Sequence, residues 1–339
     1  MPAEWEVDGA ILVAWPHDET DWNYMRAEVV DCYIRMIEAF AKDSRVIVVA
    51  PNIEEPRTRL AAIPEERIKI VELPTNDTWT RDYGPLAVES SNGIIGCDFK
   101  FNGWGLKFAA DKDNLVTSGL YRQGVLRGLY MNCLSFVLEG GAVETDGNGT
   151  LLTTSRCLLS PNRNGANSRE QIEEFLSQTL GFTVFHWLEH GSLAGDDTDS
   201  HVDTLARFAP DNTILYTSCR NADDVNYDDL AEMEKEILSL VSPEGTHYKT
   251  LPLVIPDPIF DEDNRQLPAT YANYLVTPRS VFMPTYGQPH FDEMAHQTLV
   301  QAFPGRQIVD IDCRALIKQH GSLHCATMQI PSEIISFNS

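Results

Sequence analysis

The feature that most constrains this chain is an order of strand, strand, helix and strand that comes round five times along its 339 residues. In the first pass Ile11-Leu12-Val13-Ala14-Trp15 is a continuous apolar run and reads as a buried strand. Residues 23–42 follow as a helix, with Val30, Tyr33, Ile34, Ile37 and Phe40 on one face, and Val46-Ile47-Val48-Val49 closes the pass as strand. The second takes strands at 68–71, 85–88 and 96–101, a helix over 113–127 and a strand at 134–138. The third is the best punctuated. Strands at 142–143 and 151–153 flank the turn Asp146-Gly147-Asn148-Gly149, Ser168 with Gln171 forms a capping box, Gly181 stops the helix, and 184–187 is strand. The fourth and fifth passes place helices through Leu230, Met233, Ile237 and Leu240 and over 291–303, the latter ended by Pro304-Gly305. Their strands lie near 202–208, 214–217 and 251–255, then at 274–276, 280–283 and 308–311.

The residues themselves do not repeat, and the first pass is irregular, so this is a repeat of structure and not of sequence. It suggests a pseudo-symmetric ring in which the segment after residue 320 returns to complete the first pass and the loops of all five converge on a central site. The pattern alone does not exclude a generic αβ sandwich with a mixed sheet. The length suits two ordinary domains or one large closed α/β architecture.

Near the end of the chain stands Gly321-Ser322-Leu323-His324-Cys325-Ala326-Thr327-Met328. A small-residue turn ahead of a strand-type run would set Cys325 at the mouth of a pocket, where a nucleophile belongs; the commoner fate of a free cysteine is a small buried hydrophobe. His324 points to the opposite face of such a strand, so a base for Cys325 must come from elsewhere. Polar clusters interrupt the other passes at matching places. They are Asn76-Asp77-Thr78-Trp79-Thr80-Arg81-Asp82-Tyr83-Gly84-Pro85, Leu138-Glu139-Gly140-Gly141, and Asp196 to Asp203, in which His201 and Asp203 share a face if the segment is extended. Singly, each has an ordinary alternative: Asp82 a turn acid paired with Arg81, Glu139 a surface charge, the Asp-rich run a solvated loop. A metal at His201, Asp203 and Cys325 is disfavoured, because neither a second closely spaced histidine nor a Cys-x-x-Cys pair is present.

Together these residue types suit the hydrolysis of a guanidinium. Its planar fork of N–H donors is matched best by carboxylates, the bound cation favours a neighbouring thiolate, and a histidine held by an acid can move the protons. Fifty acidic against twenty-six basic residues, a formal charge of −24, favour a cationic small molecule and disfavour nucleic acid and anionic membranes, although an acidic surface is common and serves solubility as well.

At this point the residues carry a family pattern. Asp77-Thr78-Trp79-Thr80-Arg81-Asp82 with Gly84-Pro85, Phe101-Asn102-Gly103-Trp104-Gly105, Leu138-Glu139-Gly140-Gly141, Gly149 to Thr154 with Asn162-Arg163-Asn164, His201 with Asp203, and His324-Cys325 together resemble the agmatine deiminase family, grouped with the bacterial-type peptidylarginine deiminases among the guanidine-modifying enzymes. The match covers nearly the whole chain, Trp5 and Ala14-Trp15-Pro16 included. The resemblance implies a pentein fold, a five-bladed α/β propeller of ββαβ units, as one domain over 1–339. It also implies Cys325 as covalent nucleophile, His201 as general acid and base, Glu139 as the acid supporting His201, and Asp82 with Asp203 gripping the guanidinium. Apart from the resemblance, a substrate ending in a bare amine calls for an acid or an aromatic wall such as Trp79, whereas a carboxylate or peptide calls for a basic or backbone-donor pocket.

The activity so implied is conversion of agmatine to N-carbamoylputrescine and ammonia, a step toward putrescine and the polyamines, without metal or organic cofactor. Deimination of free or peptidyl arginine is the neighbouring alternative, and a non-catalytic pentein binding module the alternative of another class. The chain departs from the family at His320-Gly321-Ser322-Leu323 and at Asp199-Ser200 ahead of His201, where glycine is common. An acidic N-terminus, the lack of a membrane-length apolar run and seven scattered cysteines predict a cytoplasmic protein, with homo-oligomerisation left open.

Overall fold

Continuous apolar runs fold as strands buried on both faces, and each helix lays one apolar face on the strands beside it. The computed structural model describes residues 1–337, and the chain packs as two compact units, Glu6–Gly140 with His324–Ser339 and Met1–Trp5 with Gly141–Leu323.

In the unit Glu6–Gly140 with His324–Ser339, the first sheet has the strand order Met328–Pro331, Gly9–Ala14, Arg45–Ala50, Ile68–Glu72. Its first pair is antiparallel, from Gly9 opposite Pro331 to Leu12 opposite Met328, and the remaining pairs are parallel. The C-terminal segment thus returns to complete the first pass, as the sequence predicts. The helix Arg26–Asp43 crosses between the parallel strands and buries Val29, Val30, Tyr33, Met36, Ile37 and Phe40, the 3.6-residue stripe of a core-facing helix. Val30, Tyr33, Ile37 and Phe40 are as expected from the spacing; Ile34 lies outside the buried set.

The second sheet, Leu86–Ser90, Gly93–Lys100 and Leu129–Val137, has one antiparallel and one parallel pair, with a bulge at Phe99/Lys100. Its crossing helix is shorter than the expected 113–127. A 3-10 turn occupies Asp113–Leu115, and the helix Val116–Arg122 ends ahead of Gly124, whose φ of 70° is left-handed.

The other unit repeats the plan three times. Its sheets are Glu144–Thr145, Thr150–Thr154, Val184–Leu188; Ala206–Ala209, Thr213–Ser218, Lys249–Val254; and Leu275–Val276, Ser280–Thr285, Gln307–Asp312. In each, the first pair is antiparallel and the second parallel. The helices Arg169–Leu180, Tyr227–Ser239 and Pro289–Ala302 make the parallel crossovers, since parallel neighbours require a long connection. The capping box at Ser168 and Gln171 forms, and Gly181 ends its helix at φ 81°.

Two expectations in this unit shift. The strand expected at 142–143 begins at Glu144, because Gly140–Ala142 is a 3-10 turn and the buried Glu144 carboxylate is pinned by Arg207 Nε (2.7 Å) and the Phe208 N–H (2.9 Å). The strand expected from Val202 begins at Ala206, because Val202–Thr204 is a 3-10 turn. The N-terminus is tied into the same unit: Glu4 pairs with Arg207 at 2.8 Å and accepts the Val276 N–H at 2.7 Å.

Candidate active site

In the unit that carries Cys325, three stretches the sequence singles out are joined. Thr80–Asp82 is a single 3-10 turn, entirely buried. The Arg81 N–H donates to the Cys325 carbonyl (3.2 Å), Thr80 Oγ1 donates to the carbonyls of Leu12 (2.9 Å) and Ala326 (3.1 Å), and the Arg81 side chain reaches the His324 carbonyl and Gln329 Oε1. The Asp82 turn is therefore tied to the Cys325 segment by backbone and side chain alike. Glu139 joins them through its neighbour. A Cβ placed on Gly140 would lie 2.2 Å from the Arg81 carbonyl oxygen and 3.0 Å from the Met328 methyl, an approach that only glycine permits.

Cys325 itself lies in a turn before Met328–Pro331 and is 5% exposed. It is not on a strand, contrary to the reading from its alternating neighbours: the Thr327 N–H and hydroxyl both bond to the His324 carbonyl and close a turn there.

Asp82, 3% exposed, accepts a hydrogen bond from the indole N–H of Trp104 at 2.9 Å. Trp104 reaches it from a tightly wound loop in which Gly103, Trp104, Gly105 and Leu106 all have positive φ (70°, 54°, 83° and 69°). Left-handed conformation is costly for a bulky residue and marks a position held by its surroundings. Here Phe101 and Phe108 clasp the indole edge-on at 4.9 and 5.5 Å. The glycines around Trp104 are the sequence signal for this contact, although its partner is not legible from them. Trp79, 4% exposed, packs on Trp22 at 5.7 Å between ring centres, and Trp22 in turn donates to Thr78 Oγ1 at 2.9 Å. Behind this loop Asp113 accepts the N–H groups of Asn76 (2.6 Å) and Asp77 (3.2 Å). Burial, outweighing those bonds, pushes its carboxyl up to about 8.

In the other unit His201 and Asp203 are both fully buried. They flank Val202 in a 3-10 turn, so their placement does not come from the two-residue alternation of an extended segment. The loop ahead of them is tightly specified. Asp196 accepts from the backbones of Thr198 (3.1 Å) and Ser200 (2.7 Å), Thr198 Oγ1 accepts the His201 N–H (3.1 Å), and Thr154 Oγ1 donates to the Ser200 carbonyl (2.7 Å). Asp199 and Ser200 are left-handed, at φ 65° and 67°, and Asp199 pairs with the fully buried Arg163 side chain at 2.6 Å. Arg163 also donates to the Thr198 carbonyl. Asn273, fully buried, donates to the Asp203 carbonyl at 3.4 Å. Nothing in the sequence pattern marks Asn273, because it lies in a loop far along the chain.

Five sheets of ββαβ order define the pentein fold, which the chain shares with solved guanidine-modifying deiminases. Within that class the chain belongs to the Porphyromonas-type peptidyl-arginine deiminase family, whose pattern it matches over residues 1–331. A solved Porphyromonas gingivalis protein provisionally called an arginine deiminase is 46% identical, covers 99% of each chain and superposes with a TM-score of 0.94. A C. jejuni agmatine deiminase, solved as a cysteine-to-serine variant with substrate bound, is 33% identical over 99% of this chain and 96% of its own, with a TM-score of 0.91. A Legionella pneumophila (strain Paris) relative with a provisional agmatine deiminase name is 33% identical over 98% of this chain and 95% of its own. The family read from the motifs and the five-pass fold class are thus both borne out. No helix among the described residues is long and apolar enough to cross a membrane.

Proposed function

We propose that this protein hydrolyses agmatine to N-carbamoylputrescine and ammonia. The observation that carries the reading is the bonding of the buried Asp82 turn to the Cys325 segment, which sets a carboxylate and a thiol in one rigid piece of backbone. Asp82 and Asp203 hold the guanidinium through its N–H fork. The Cys325 thiolate, favoured by that cation, adds to the guanidinium carbon, and His201 with Glu139 delivers the proton on which ammonia departs. Water, giving a proton to His201, then adds to the S-linked amidino carbon; the C–S bond breaks, the ureido product leaves and the thiolate returns. Trp79 walls the substrate. This scheme calls on no metal or organic cofactor, treats residues 1–339 as one catalytic domain, places it in the cytoplasm and assigns it neither nucleic acid nor membrane as partner. That all five polar residues act on one substrate is a requirement of the chemistry.

The 46% identity to a structure provisionally called an arginine deiminase supports a second reading, in which free or peptidyl arginine is the substrate. An assay of ureido product from agmatine, arginine and an arginine peptide separates the two, with agmatine expected to lead. Turnover of the arginine compounds at the same or higher rate would overturn the agmatine assignment and keep the deiminase. No product from any guanidine would leave a binding module. In the same assay Cys325→Ser should abolish turnover, and mass spectrometry of the enzyme quenched during turnover should find the amidino adduct on Cys325; an adduct on another cysteine would sink that role.

A further inference from the structure

Shortly after Asp203 the protein buries a guanidinium of its own. Arg207, on the strand Ala206–Ala209, is 1% exposed. Its Nε donates to Glu144 (2.7 Å), its Nη2 to Glu4 (2.8 Å), and its Nη1 to the carbonyls of Ala272 (3.2 Å) and Tyr274 (2.8 Å), while the Tyr274 ring lies beneath it at 4.7 Å. Burying a cation with two carboxylates is a costly way to fill a core. What the planar fork supplies, and an apolar side chain or a lysine does not, is a fixed geometry between several acceptors. The two carbonyls it grips flank Asn273, whose amide donates to the Asp203 carbonyl at 3.4 Å. In the same segment Thr270 Oγ1 donates to the Thr204 carbonyl at 3.1 Å and accepts the Ala272 N–H at 3.2 Å. The turn Val202–Thr204 that carries Asp203 therefore rests on residues 270–274 at two points, and those residues rest on Arg207. Arg207 is itself fixed from the N-terminus, because Glu4 accepts from it with one oxygen and from the Val276 N–H with the other (2.7 Å). A line of bonds thus runs from Glu4 through Arg207 and Asn273 to Asp203, all within the unit Met1–Trp5 with Gly141–Leu323. The Arg207 cation is also within electrostatic reach of the Asp203 carboxylate.

We propose that Arg207 and Glu4 are positioning residues for guanidinium binding: the N-terminal segment, acting through the buried Arg207, sets Asp203 where it grips the substrate. The inference rests on the deiminase reading above and on the role given there to Asp203. It is tested by measuring kcat and KM for agmatine in the wild type, Glu4→Gln, Glu4→Asp and Arg207→Lys, the last of which keeps the charge and loses the fork. Glu4→Gln should raise KM about fivefold to fiftyfold and lower kcat by less than that, because a slightly displaced Asp203 no longer matches the N–H fork of the substrate. Glu4→Asp, which restores a carboxylate on a shorter arm, should fall between Glu4→Gln and the wild type, and Arg207→Lys should raise KM at least as far as Glu4→Gln. A merely structural role reads differently: fewer molecules fold, kcat per total enzyme falls, and KM of the folded remainder stays at the wild-type value. An unchanged KM in Glu4→Gln therefore overturns the proposal, and that variant carries the test even where Arg207→Lys does not fold. Should arginine prove the better substrate, the same change in KM is expected on arginine, since Asp203 would grip the guanidinium of either compound. If the wild type forms no ureido product from any guanidine, the deiminase reading falls and takes the proposal with it; normal turnover with a KM indifferent to Glu4 sinks the proposal alone.

Discussion

A guanidinium held by carboxylates and a histidine that moves protons fail in different ways when they are altered, and that difference assigns residues to roles. On the proposed roles, changing Asp82 or Asp203 to Asn removes a charge that faces the substrate while keeping the side-chain shape; a charge pair broken on one side inside a protein costs about 3–5 kcal/mol. Agmatine binding should then be lost. In His201→Ala the carboxylates remain, so ground-state binding should survive while ammonia release and hydrolysis stop. Titration calorimetry of agmatine in a Cys325→Ala background reads binding without chemistry. Parental affinity in Asp82→Asn and Asp203→Asn would return both residues to the turn and capping roles that the sequence equally allows. Gly140 is a second residue-scale test. A methyl group there meets the Arg81 carbonyl at 2.2 Å, a backbone atom that cannot rotate away. Gly140→Ala should cost about 1–3 kcal/mol in urea unfolding and lower kcat through the displaced Asp82 turn. An unchanged midpoint would mean that the turn yields at no cost.

Elements position these residues, and here pH exposes a dependence. Asp113 opens the 3-10 turn Asp113–Leu115 and holds the N–H groups of Asn76 and Asp77, so it braces the loop that leads to Trp79 and Asp82. Burial raises its carboxyl to about 8, against about 3.9 in an unfolded chain. The folded state therefore keeps a proton that the unfolded state has lost. The stabilisation is fully present below about pH 4 and is lost as pH rises through about 8. Asp113→Asn mimics the protonated form, so urea midpoints of wild type and variant should converge near pH 5 and separate toward pH 8.5, with the wild type falling further. Parallel midpoints across that range would show Asp113 to be ionised throughout.

The same elements show what a sequence discloses. Apolar runs such as Val46 to Val49 and the stripe of Tyr33, Ile37 and Phe40 reveal strands and helices, because burial selects those residue types directly. The return of the last strand to the first sheet is also legible, from the incomplete first pass. Turns that run against local pattern are not. Cys325 sits in a turn although its neighbours alternate, and Val202–Thr204 winds as a 3-10 turn although its composition suits a strand, since hydrogen bonds from Thr327 and Thr204 decide both. Trp104 shows the limit at the candidate site: its flanking glycines signal an unusual backbone, while its bond to Asp82, twenty-two residues away in sequence, is set by packing alone.

Across the whole molecule, fifty acidic residues against twenty-six basic ones make a field that acts on any charged ligand before contact. A net charge of −24 attracts agmatine, a dication at neutral pH, and the attraction is long-ranged only while the Debye length is long, about 30 Å at 0.01 M and about 8 Å at physiological ionic strength. It does little for 4-guanidinobutyrate, a guanidino compound with a carboxylate where agmatine has an amine, because its charges cancel. The two compounds therefore separate the global field from the contacts proposed at Asp82 and Asp203, which would be made through the guanidinium that both carry. Between about 0.01 M and 0.3 M sodium chloride kcat/KM for agmatine should fall several-fold, with kcat little changed because the bound complex is screened less than the encounter. The value for 4-guanidinobutyrate should move much less. Equal salt dependence for the two would mean that the acidic surface contributes solubility alone, and that recognition begins only when the guanidinium reaches the buried carboxylates.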